Sequence, residues 1–99
     1  MELDATGEII EWRGPAPFLF VPLDDDAADA VAAVARDYTY GWGALPAEVR
    51  LGRTVFRTSL FPRAGTYYVP VKVAVQRAEG VGLGDVVAVH VRLLGPSDR

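Results

Sequence analysis

The residues of this 99-residue chain with types and spacing suited to chemistry gather between positions 54 and 77, in the run TVFRTSLFPRAGTYYVPVK and just beyond it. Arg57 and Ser59 stand two apart, Lys72 sits where a helix is expected to begin, and Arg77 follows within that helix. On a strand, Arg57 and Ser59 emerge on one side with Val55 and Phe61, while Phe56, Thr58 and Leu60 take the other. The next hairpin strand brings Tyr67 or Tyr68 within cross-strand reach. A fork-shaped guanidinium, an ammonium, a hydroxyl and the amides of a helix start are the groups an oxyanion needs. Arg57, Ser59, Lys72, Arg77 and Tyr67 are therefore the expected ligand-binding group, a shallow anion-facing surface. The competing reading is structural: Arg57 bonds backbone carbonyls or pairs with acids of the first half, and Thr58 and Ser59 finish a strand end.

Other chemistries fare less well. Ser59 and Lys72 have the types of a nucleophile and its base, but lysine acts as a base only when desolvated, and the sequence shows no such setting. With no cysteine, thiol nucleophiles, thiolate metal sites and disulfides are excluded. His90 is the only histidine, so a structural or exposed role is expected rather than a transition-metal site. GVGLGD follows a helix and precedes a strand, the reverse of the order a dinucleotide loop requires. No cofactor and no catalytic residue is expected. The glycine-flanked aromatic run YTYGWG offers something different: Trp42 and Tyr40 either edge a pocket for a small apolar or aromatic ligand, or plug an open barrel end.

Charge is segregated along the chain. Residues 1–48 carry ten acids against Arg13 and Arg36, a net of −8, whereas residues 49–78 carry six basic residues and no acid. The whole chain is −3 with a pI near 5.0. Such a split marks either an anionic partner for the basic segment or two halves that attract each other. The acidic whole weighs against a nucleic-acid interface, which ordinarily presents a strongly basic surface. Half the residues are apolar, a globular composition. One domain is expected, with folding removing roughly two thirds of the unfolded chain's surface. No stretch approaches the roughly 20 apolar residues of a membrane span, and the N-terminus lacks a secretory pattern, so a cytoplasmic protein is the expectation.

The elements that must position these residues follow from periodicity and turn signals. EIIEWR and FLFVP read as strands separated by GPAP, whose Gly14, Pro15 and Pro17 break any helix. In DDDAADAVAAVAR, Ala27, Val31, Val34 and Ala35 fall at helical spacing, and the leading aspartates suit an N-cap and the positive end of the helix dipole. EVRL and TVFRTSLF read as strands joined by a Gly52-Arg53 turn of type II′, and Gly65 marks a second hairpin before TYYVP. VKVAVQRAEG places Val71, Ala74, Val75 and Ala78 on one helical face and ends at Gly80; VVAVHVRLL is the last strand.

Residues 7–51 and 54–94 thus both read strand, strand, helix, strand, and each second strand ends in Val-Pro, at Pro22 and Pro70. Both prolines are expected to open directly into a helix, where a missing N–H is harmless. An internal duplication follows. Neither half buries its apolar face alone, so the two should interlock in one barrel. The run VFRTSLFPRAGTYYVPVKVAVQRAEGVGLGD resembles the signature of the domain of unknown function 1905 family over nearly the whole chain. Its second part, YYVPVKVAVQRAEGVGLGDVVAVHV, is similar to the repeat of AbrB-type double-split β-barrels. The resemblance implies a mainly β, double-split β-barrel built from two β-β-α-β units, with no established activity. AbrB relatives are dimeric DNA-binding regulators and antitoxins; here both halves lie in one polypeptide, so dimerisation is not needed to complete the barrel. The expected function is a noncatalytic module binding an anionic small molecule or a protein. A nucleic-acid regulator by fold analogy ranks second, and a small-molecule enzyme using the barrel pocket third.

Overall fold

The computed structural model describes residues 1–12, 18–39 and 43–95. Among the described residues the elements run β1 (Glu2–Glu8), β2 (Ile10–Trp12), β3 (Phe18–Pro22), α1 (Asp25–Tyr38), β4 (Leu45–Leu51), β5 (Thr54–Arg63), β6 (Thr66–Pro70), α2 (Val73–Glu79) and β7 (Val86–Leu93). The strands form one antiparallel sheet in the order β1-β7-β4-β5-β6-β3-β2, curled into a half-barrel. The molecule is mainly β with two helices. Among the described residues, no helix is long and apolar enough to cross a membrane.

Strand β5 serves two neighbours in succession: Thr54 to Leu60 pair with β4, and Phe61 to Arg63 pair with β6. The N-terminal segment does the same in two pieces, β1 on β7 and β2 on β3. Between those pieces Ile9 turns to the loop before β7, its N–H donating to the Asp85 carbonyl at 2.8 Å and its carbonyl accepting from the Gly84 N–H at 2.9 Å. Where β3 meets β6, Val21 lies opposite Val69, with Phe20 opposite Pro70 and Pro22 opposite Tyr68. The residue after each proline repeats one bond: Leu23 N–H donates to the Tyr67 carbonyl at 3.0 Å, and Val71 N–H to the Leu19 carbonyl at 2.9 Å.

A period of two decides what each strand buries. Along β4, Leu45, Ala47, Val49 and Leu51 point inward, and along β7 Val87, Val89, Val91 and Leu93 do so. Val21, Val69 and Leu60 join them from the other strands, and α1 covers this face with Ala27, Ala28 and Val31. Gly7 lets β1 approach β3, because a β-carbon there would overlap the Pro22 carbonyl oxygen.

Local chemistry fixes the helices and turns. Asp24 caps α1 with one carboxylate oxygen on the Ala27 N–H at 3.0 Å, and its other oxygen accepts from the Thr6 N–H of β1 at 2.9 Å. One side chain thus ties the helix to the sheet. Helix α2 ends at Gly80 in the left-handed region, φ 64°. Its Glu79 carboxylate reaches the β4–β5 hairpin, accepting from the Thr54 hydroxyl at 2.5 Å and the Arg53 N–H at 3.3 Å. Gly52 takes φ 61° while Arg53 stays at negative φ, as a type II′ turn requires. In the β5–β6 hairpin Ala64 and Gly65 both have positive φ, 52° and 77°, so that turn is of the I′ kind with a non-glycine residue at its first central position.

Three expectations need correction. Pro22 and Pro70 do not open helices: each is the last residue of its strand, and Asp24 and Lys72 are the caps two residues later. Ala74 and Ala78 are exposed, so α2 buries Val75, with Val71 ahead of it, rather than a four-residue face. The Gln76 side-chain amide donates to the Val71 carbonyl at 2.8 Å. Strand β1 begins at Glu2, well before the expected start at residue 7; ELDATGE carries little apolar patterning, and the ladder to β7 makes it a strand.

Replacing Asp24 by alanine should lower stability by about 1–2 kcal/mol, since it removes a cap and a tie to β1 together. Urea unfolding checks this, with Asp24→Asn expected to recover part of the loss.

Candidate functional site

The outer face of β1, β7, β4 and β5 is a ladder of charges built by cross-strand register. Glu48 stands opposite Arg57 on one side and Arg92 on the other. Its carboxylate lies 3.8 Å from Arg57 Nε and 3.5 Å from Arg92 Nη2. His90, between Asp4 and Arg50 in register, places Nδ1 2.8 Å from Asp4 Oδ1 and Nε2 2.9 Å from Glu2 Oε1. Two carboxylates accepting from one imidazole favour its charged form. Hydrogen bonding to Glu2 and then to Asp4 raises the His90 pKa above its ordinary 6.5, and the same bond to His90 lowers that of Glu2 below 4.5. Beside this cluster a groove of about 390 Å³ is lined by Asp4, Thr6, Asp24, Arg50, Gly52 and His90.

The residues expected to form one anion site are not brought together. Arg57 and Ser59 stand on the outer face of β5, opposite Glu48 and Pro46. Lys72 is the exposed cap of α2 and Arg77 lies exposed in its last turn. That helix meets β5 through Glu79 and Thr54, and Thr54 shares the parity of Phe56, Thr58 and Leu60, the opposite face from Arg57. Tyr67 is half-buried against the core, while Tyr68, on the other parity, faces outward with Phe61 opposite it. Trp42 and Tyr40 lie outside the described residues, as do Gly14, Pro15 and Pro17. The Arg57–Glu48 pair joins the basic segment to the acidic first half of the chain.

What the same register does bring together is an aromatic groove of about 510 Å³. It is lined by Trp12 of β2, Phe18 and Phe20 of β3, Tyr68 and Pro70 of β6, and Phe61, Pro62 and Arg63 of β5. Phe18 and Phe20 meet edge to face at 6.4 Å, and Phe20 and Tyr68 lie 5.7 Å apart at 44°, within the separations at which aromatic pairs attract. The rings are nevertheless wet: Phe18 is 56 % exposed, Phe61 45 % and Trp12 38 %. The Arg63 guanidinium carbon sits 4.6 Å from the centre of the Trp12 ring, a cation–π contact. Glycine 43, the first described residue after the YTYGW run, packs against Pro62 at the groove's edge, where a β-carbon would come within 3.0 Å of the proline ring.

Sequence reasoning passed over Trp12, Phe18, Phe20, Phe61 and Arg63 as a group because they come from three separate strands. The signal was parity. Phe20 and Tyr68 adjoin Val21 and Val69, and Phe61 adjoins Leu60; once those three point inward, the aromatics must point outward.

A family model described as a domain of unknown function, DUF1905, matches residues 6–91. No curated protein gives a match.

The His90 cluster gives a signed pH dependence. A raised histidine pKa contributes stability that is present below the unfolded value of 6.5 and fades as pH rises through the folded value; a lowered Glu2 pKa contributes stability that fades as pH falls below 4.5. Replacing His90 by glutamine should therefore lower the urea midpoint most near about pH 5.5, with wild type and variant converging on the alkaline side.

Proposed function

The chain belongs to the DUF1905 family, and we propose that it is a noncatalytic binding module whose ligand site is the aromatic groove across β2, β3, β6 and β5. The observation that carries this reading is a set of outward rings left partly exposed side by side in one groove. Pockets of a few hundred Å³ with apolar walls and few polar groups suit small organic ligands. The lining offers ring faces and one guanidinium, a set made to hold a molecule rather than transform it.

The scaffold behind the groove is, in this reading, a double-split β-barrel made from two β-β-α-β units. Supporting it are the Val21–Val69 pairing, the matching bonds from Leu23 and Val71, and the way β5 and the β1–β2 segment each divide between two partner strands. A nucleic-acid interface by analogy with AbrB-type barrels is less favoured, because Glu48 lies between Arg57 and Arg92 on the charged face. An anion surface of Arg57, Ser59, Lys72 and Arg77 is also less favoured, because Arg57 lies beside Glu48 on the outer face while Lys72 and Arg77 belong to α2, which meets β5 through Glu79 and Thr54.

A neutral apolar fluorophore, N-phenyl-1-naphthylamine, tests the groove. Its emission should rise on binding wild type, and Phe18→Ala with Phe61→Ala should weaken binding about tenfold through lost ring contact. These partly exposed positions should cost the fold little. Unchanged binding by the folded double variant would put the ligand site elsewhere.

A further inference from the structure

Arg63 gives the groove a charge preference. Among the described residues lining it, Arg63 carries the one formal charge, and no carboxylate faces the ring cluster. The guanidinium lies over Trp12 at 4.6 Å and, among the described residues, has no carboxylate partner. A guanidinium packed on an aromatic face keeps its edge N–H groups available for planar acceptors while the ring limits its motion. By contrast Arg57 and Arg92, on the charged face, share Glu48.

Resting on the groove reading above, we propose that the ligand class is the planar aromatic carboxylate: a flat apolar body among Phe18, Phe61 and Tyr68, and a carboxylate held by the edge of Arg63. The rings alone would also fit an alkylammonium cage, which relies on open π faces. Here the Trp12 face is taken by Arg63 itself, and an incoming cation would meet that charge at short range with no acid to offset it. A neutral aromatic satisfies the walls but leaves the guanidinium edge to water. A carboxylate satisfies both, and a charge-assisted, two-pronged hydrogen bond is the strongest polar contact the lining can offer.

The test compares two probes of nearly equal shape, 2-naphthoate and 2-naphthamide, by titration into the labelled protein. Wild type should bind the naphthoate about tenfold or more tightly than the amide, the worth of one charge-assisted bond. Arg63→Gln should abolish that preference by weakening the naphthoate far more than the amide, and Arg63→Lys should retain only part of it because the fork is lost. Shifts should fall on Trp12, Phe61 and Tyr68. Equal binding of both probes to wild type, or a preference that survives in the folded Arg63→Gln variant, overturns the charge assignment and leaves the groove standing. Absence of shifts at Trp12, Phe61 and Tyr68 with either probe overturns the groove as well.

Discussion

The register between β3 and β6 is the constraint from which the rest of the molecule follows. Val21 opposite Val69 turns both valines inward, so their neighbours Phe20, Pro22, Tyr68 and Pro70 must face outward. A slip of one residue would bury two prolines and two large rings in an interior built from valine, leucine and alanine, and would expose the valines. The interior volume therefore fixes the register. The aromatic groove is the outer side of the same pairing.

Strand β5 links the two exteriors. Its first part runs beside β4, where Arg57 faces Glu48; its last three residues run beside β6, where Phe61 and Arg63 join the rings. The charged face and the aromatic face thus share a strand but use it at different places. On the charged face oppositely charged side chains meet in register, and the Glu48–Arg57 pair joins the acidic first part of the chain to the basic segment. Exposed pairs of this kind contribute little stability each. Their effect is to choose which strand lies beside which.

Much of this was legible in the amino-acid order. The capped α1 with its aspartates, the Gly52-Arg53 turn and the apolar face of β7 each rest on local chemistry that sequence displays directly. Strand β1 was not legible, because Glu2 to Glu8 contains Asp, Ala, Thr and Gly and becomes a strand only by pairing with β7. The expected anion site drew on residues of β5, β6 and α2, and their arrangement depends on how α2 meets β5, through Glu79 and Thr54, which no local pattern displays. The rings of the groove come from four strands, β2, β3, β5 and β6, and are gathered by strand pairing that no local window displays.

Two backbone bonds across β3 and β6, Leu23 to Tyr67 and Val71 to Leu19, hold the sheet as one cooperative unit whose outer side carries the groove. Native-state hydrogen exchange of those two amides measures this directly. Both should exchange only through global unfolding, with equal protection that falls together as denaturant is added. An amide of Leu23 or Val71 that opens well below the global free energy while the other stays protected would contradict this, since one bond across the β3–β6 pair would then hold without the other.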